Sequence, residues 1–444
     1  MTRIRGFASS TFRSLRTRNY RIYFVAQIIS VSGTWMQSVA QAWLVLRLSP
    51  PGRAGVDLGL VTALQFLPML LFGTYGGLIA DRVDKRRLLY ATQSTALVLA
   101  LVLGILTATH EVELWQVYLL ALGLGFVNMF DNPARQTFVI EMVGRGDLPN
   151  AVSLNSVLMN GARVVGPAIG GVLIATVGLA TCFFVNAASY VAVIVGLSLM
   201  HGDELHRTTP VARAKGQLRE GFRYIWRTPG IRDPLILVAV VGTLAYNFMV
   251  VLALFAKYTF GGGPGAYSAL LSLMGLGAVI GGLLVATRNR PNVHRLTAVG
   301  LVFGTLIVVL ALAPTLPVAM VVVVPMGAAS IAFIATANAT LQLRSEPTMR
   351  GRVMALYAVA FLGTTPIGAP LVGWISQETS PRVALLVGGT STLVAAALTR
   401  LRHRREHERN AALAAAEAAT AARAAGAAGT VADRAEPGSE LGVA

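Results

Sequence analysis

A chain of 444 residues that is 55% hydrophobic and only 13% charged cannot clothe a soluble globule of its size, because ordinary soluble domains carry about 25% charged residues. The net charge of +17 would suit a nucleic-acid partner, yet the basic residues are dispersed over loops between apolar runs, so none is expected. The single cysteine, Cys182, excludes an intrachain disulfide. No phosphate loop, His-Glu-x-x-His pattern or nucleophile–base set occurs, so neither an ATPase, a metal, a cofactor nor an enzyme is expected.

Twelve apolar runs are long enough to cross a bilayer, which takes roughly 20 helical residues because lipid satisfies no backbone N–H or C=O. They fall at 22–46, 58–80, 88–108, 114–134, 150–173 and 178–200. After a polar stretch they resume at 234–256, 267–287, 296–313, 317–337, 352–376 and 382–400. The predicted fold class is an all-α integral membrane protein of 12 transmembrane helices in two six-helix bundles. Its parts are a basic N-terminus (1–21), an N-terminal bundle (22–200), a central loop (201–233), a C-terminal bundle (234–400) and an Ala-rich tail (401–444). The tail reads as partly helical and otherwise disordered.

An even number of crossings puts both termini on one face. Of the 37 Lys and Arg residues, 32 fall on that face, with Arg135 and Arg145 assigned to the turn after the fourth span. Arg47, Arg53, Lys257 and Arg382 lie opposite, and Arg163 lies inside a span. The positive-inside rule makes the rich face, and both termini, cytoplasmic. The six arginines before the first run are followed by no cleavage pattern, so that run is expected to remain as a span.

In the first span Gln27, Ser30, Thr34, Gln37 and Gln41 recur every three or four residues, which places them on one helical stripe. Such a stripe faces inward in lipid and either lines a cavity or hydrogen-bonds to neighbouring helices. The turn after the second span reads Gly77-Leu78-Ile79-Ala80-Asp81-Arg82-Val83-Asp84-Lys85-Arg86-Arg87, and the fourth span carries Asn128 and ends near Asp131. The fifth contains Gly161-Ala162-Arg163-Val164-Val165-Gly166-Pro167-Ala168-Ile169-Gly170-Gly171. Pro167 removes a ladder hydrogen bond and bends the helix. Gly166 and Gly170 permit close contact with a neighbour.

Arg163 shares the face of Gly166 and Gly170. Charge in hydrocarbon turns toward a bundle interior or watery cavity, so Arg163 contacts either substrate and counter-ion or neighbouring backbone. In the central loop 217–227 interleaves Phe222, Ile225 and Trp226 with arginines, as an interfacial helix would. Thr243 and Asn247 stand one turn apart in the seventh span. The halves echo each other at an offset of 205 residues, where Gly76-Gly77-Leu78 matches Gly281-Gly282-Leu283 and Arg145-Gly146 matches Arg350-Gly351. Parallel six-span repeats put a substrate site between the halves.

The Gly77–Arg87 stretch resembles the loop signature of the major facilitator superfamily, departing from it at Asp84, where the family usually has glycine. The resemblance implies that Asp81 caps the start of the eleventh span, while the basic residues pair with an acid at the end of the fourth, here Asp131 with Lys85 or Arg82 as partner. The Gly166-Pro167-x-x-Gly170-Gly171 stretch resembles the fifth-span motif of that superfamily's antiporters and exporters. With Phe12–Arg16, Asp131–Gln136 and Asp147–Asn155, the chain from about residue 12 to 400 resembles the branch of bacterial secretion transporters that contains the enterobactin exporter. The arginine that drug–proton antiporters carry inside the fourth span is missing from this reading.

The expected function is export of a small organic molecule, siderophore-like or another secondary metabolite, across the bacterial plasma membrane by alternating access. Coupling to protons and a monomeric state are expected. The gate is expected at Gly77, Asp81, Arg82, Lys85, Arg86 and Asp131, and the cavity at Gln27, Thr34, Gln37, Gln41, Asn128, Arg163 and Asn247. A cavity with Arg163 and no buried carboxylate would favour anionic or neutral polar cargo. A multidrug exporter and a non-transporting membrane sensor or scaffold are the alternatives.

Overall fold

The computed structural model describes residues 12–206, 217–286 and 291–433, and among these every regular element is helical. The N-terminal half comprises α1 (Arg18–Leu48), α2 (Ala54–Arg82), α3 (Lys85–Ala108), α4 (Leu114–Thr176) and α5 (Leu179–Ser198). A short helix, α6 (Gln217–Arg227), leads to the C-terminal half. That half comprises α7 (Pro229–Thr259), α8 (Pro264–Ala286), α9 (Val293–Ala311), α10 (Leu316–Arg344), α11 (Arg350–Glu378) and α12 (Pro381–Asp433).

Ten of these stretches are long and apolar enough to span a membrane. Helix α4 counts once among them, but its 63 residues would run about 95 Å if straight, roughly three bilayer cores. It breaks at Gly144, whose φ of 69° lies in the left-handed region, and so is long enough for two crossings. Helix α1 is outside the ten because its stripe of polar residues lowers its hydropathy, although its 31 residues suffice in length. Twelve crossings are consistent with both facts.

Local chemistry explains several boundaries. Asp84, the departure from the loop signature, is the N-cap of α3, and its carboxylate accepts the Arg87 N–H at 3.0 Å. The fourth span does not stop at 134 as expected. A proline costs a helix one ladder bond and a bend rather than its continuation, and α4 runs past Pro133 through Val143. The eleventh span, read as continuous, is broken at Leu362–Thr364, just before Pro366. In the tail, alanines, the strongest helix formers, continue α12 to Asp433, and 434–444 lie outside the described residues.

One face gathers the basic turns. There the Asn19 amide donates to the His201 carbonyl (2.9 Å), Arg86 donates to Leu197 and Ser198 carbonyls, and Arg352 pairs with Glu220 (2.8 Å). On the opposite, arginine-poor face, Tyr118 donates to Asp57 (2.9 Å) and Arg382 to the Ala311 carbonyl (2.6 Å). The halves meet along α2 against α11 and along the second part of α4 against α8. At the arginine-poor end they approach so closely that a Cβ on Gly373 would lie 2.1 Å from the Gly55 carbonyl oxygen. Beside it the Val56 N–H donates to Gln377 (3.3 Å), and Lys257 donates to the Leu46 carbonyl (2.8 Å).

Candidate functional site

Four residues of the polar α1 stripe, Gln27, Ser30, Gln37 and Gln41, are buried, while Thr34 is exposed where it lines a cavity. The stripe forms one wall of this cavity of about 370 Å³, within the range of small-molecule sites. Thr34, Gln37 and Gln41 line it from α1, Gln65 from α2, Gln93 from α3, Tyr190 from α5, and Asn128, Asp131, Asn132 and Arg135 from α4. Met249 is the C-terminal half's contribution among the described lining residues. Gln37 also accepts from the Asn186 amide (2.6 Å), which fixes its orientation.

The charged centre of this wall is a pair that sequence reasoning did not assemble. The Asp131 carboxylate, 4% exposed, accepts from Thr92 Oγ1 and Gln93 Nε2, each at 2.7 Å, and from Arg135 Nε. Arg135 also donates from Nη1 to Gln27 Oε1. A carboxylate with three donors and an adjacent guanidinium meets the conditions under which a buried charge is tolerated. The expectation that the cavity holds no carboxylate is therefore overturned, because α4 continues where a turn was expected and carries both charges inward, one turn apart.

The partner expected for Asp131 is also corrected. Lys85 Nζ pairs with Glu141 at 2.8 Å, and both side chains are buried. Glu141 stands near the true end of the helix, ten residues beyond Asp131, where the base after the second span can reach it. Arg82 is exposed, Arg86 binds the end of α5, a Cβ built on Gly77 meets nothing within 4 Å among the described residues, and the side chain of Asp81 lies outside them.

Arg163 does not line the main cavity. It borders a second one of about 80 Å³ with Trp35, Pro167, Tyr246, Phe248 and Met249, and its guanidinium lies 5.2 Å from the Trp35 ring centroid, a cation–π contact. Asn247, expected in the cavity, turns back to donate to the Thr243 carbonyl (2.8 Å) and lines neither cavity. Gly166 and Gly170 fit α1: a Cβ at Gly166 would come within 2.6 Å of the Ser32 carbonyl. Gly171 instead faces Ser268 across the seam between halves.

Two helical halves around a polar, mid-chain cavity define a major facilitator transporter. The chain belongs to the transmembrane secretion effector family of that superfamily, whose pattern matches residues 9–430. It is similar to the multidrug efflux pump Tap of Mycolicibacterium fortuitum, 27% identical over 393 residues that cover 85% of this chain and 95% of that one. It is similar also to the enterobactin exporter EntS of Shigella flexneri, 24% identical over 395 residues covering 85% and 90%. In fold it resembles a bacterial homologue of the human lysosomal transporter Spinster in an inward-facing, unoccupied conformation, with a TM-score of 0.70 and 16% identity over 88% of this chain and 97% of that one.

Proposed function

We propose that this chain exports small organic molecules from a bacterial cytoplasm across the plasma membrane by alternating access, the basic face being cytoplasmic. The observation that carries the reading is the cavity between Thr34, Gln93, Asn128 and Arg135, combined with a seam drawn tight at Gly55–Gly373 on the arginine-poor side. A polar cavity whose two halves pack closely toward the arginine-poor end suits an exporter that loads from the other end. The bundles 22–200 and 234–400 would rock about this site, with 201–233 joining them and the Gly77–Arg87 turn, Lys85 and Glu141 acting at the cytoplasmic gate.

Likeness to a multidrug pump and to a siderophore exporter supports efflux of organic cargo. The Met249, Tyr246 and Phe248 side of the site favours broad acceptance, because methionine repacks around differing shapes. Inward movement of protons would drive export, and a single chain would suffice. Expression in an efflux-deficient bacterium tests the reading: accumulation of at least some of a chemically varied panel should fall several-fold, and a protonophore should restore it. Unchanged accumulation of every compound contradicts it.

A further inference from the structure

Asp131 and Arg135 are the charged residues lining the main cavity among those described, and their hydrogen-bonding capacities differ. A carboxylate has about four lone-pair sites and a guanidinium five N–H donors. Asp131 is occupied at both oxygens, by Thr92 and Gln93 on Oδ1 and by Arg135 on Oδ2. Arg135 spends one N–H on Asp131 and one on Gln27 Oε1, and its side chain is 16% exposed against 6% for that of Asp131. Beside it, Gln27 Nε2 is buried with no hydrogen-bond partner. The pair is neutral as a whole, but Arg135 is its more exposed member and the one that keeps unused hydrogen-bonding groups of one kind, N–H donors.

We infer that Arg135, through the N–H donors it does not spend on Asp131 and Gln27, is the docking point for an acidic group of the cargo, a carboxylate or ionised phenol. This rests on the small-molecule efflux reading and adds a substrate class to it. A cation reaching the site would meet the guanidinium edge first and find the Asp131 oxygens already bonded. An anion gains charge-assisted, fork-shaped bonds, while Thr92 and Gln93 continue to hold Asp131. The second cavity, bordered by Trp35, Tyr246, Phe248 and Met249, suits an apolar or aromatic body. The preferred cargo is thus an amphipathic organic acid, its head on α4 and its body toward α7.

Two dyes built on the same ring system isolate the charge: fluorescein, an anion, and the ester rhodamine 6G, a cation. Their binding to the purified full-length protein in lipid nanodiscs is read by fluorescence polarisation. Fluorescein should bind at least tenfold more tightly than rhodamine 6G. Arg135→Gln should weaken fluorescein at least tenfold without weakening rhodamine 6G, since it leaves Asp131 unpaired, and Arg135→Lys should recover part of the loss. The doubly neutral Asp131→Asn/Arg135→Gln variant, which leaves no unpaired charge, should lose fluorescein while keeping its thermal transition. Tighter rhodamine binding, or fluorescein binding indifferent to Arg135→Gln, overturns the inference, as does absence of fluorescein binding to wild type.

Export itself is judged separately by cell accumulation. Neutral compounds exported without any preference for the anion would leave efflux standing and remove the acid site. Arg135-dependent fluorescein binding without export of any compound would do the reverse.

Discussion

The two halves of the molecule present opposite chemistry to the space between them. The N-terminal half offers amides, hydroxyls and an ion pair, held in a connected network that runs from Gln27 through Arg135 and Asp131 to Thr92 and Gln93. The C-terminal half offers Tyr246, Phe248 and Met249 on helices that are themselves interrupted. Helix α7 contains two π-type turns, Val241–Ala245 and Phe255–Thr259, and α11 is broken at Leu362–Thr364. Such interruptions mark places where a helix can re-form hydrogen bonds during movement. Under the proposed efflux reading, recognition falls to the half whose polar groups are mutually fixed, and compliance to the half whose wall is apolar.

The strongest way to break this contrast is to unpair the charged network. Asp131→Leu leaves Arg135 buried without its carboxylate and should destabilise the protein by about 3–5 kcal/mol, seen as a lowered thermal transition in detergent. Asp131→Leu/Arg135→Met should recover most of that loss. A smaller effect is expected at the seam between halves. Gly373→Val would drive side-chain atoms into the Gly55 carbonyl and cost the close-packed state about 1–3 kcal/mol, reported by faster thiol labelling of a cysteine placed at Gln377. On the apolar wall, Met249→Ala removes methylene contacts at about 0.8 kcal/mol each. It should weaken apolar cargo several-fold while leaving stability nearly unchanged. Smallest of all, removing residues beyond 410 should alter stability by no more than about 0.5 kcal/mol, since the described side chains there are exposed.

Much of the fold was legible because the bilayer imposes one rule on every span, and the 20-residue apolar run and the basic loops follow from it. The α1 stripe was legible for a related reason: polar residues at three- and four-residue spacing can face only the interior of a bundle. Arg135 and Glu141 were not found because the apolar run of the fourth span thins out at Pro133, and charge counting then consigns both residues to a loop. The Asp131-x-x-x-Arg135 spacing was the available clue, since an acid four residues before a base shares its helical face. Asn247 was misjudged because polarity on a helix does not distinguish a cavity-facing amide from one folded back on its own backbone. Arg163 was rightly placed within a span, but spacing cannot tell that Trp35 would cover its guanidinium.

The movement of cargo past a gate on the basic face is tested most directly by side-specific labelling. Asn128→Cys, in a protein whose buried Cys182 is replaced by alanine, is exposed to a membrane-impermeant thiol reagent in inside-out and in right-side-out vesicles. Without cargo, labelling should be rapid in inside-out vesicles and at least tenfold slower in right-side-out ones, with added cargo narrowing the difference. Equal rates from both sides, or faster labelling in right-side-out vesicles, would contradict an exporter that loads from the cytoplasm.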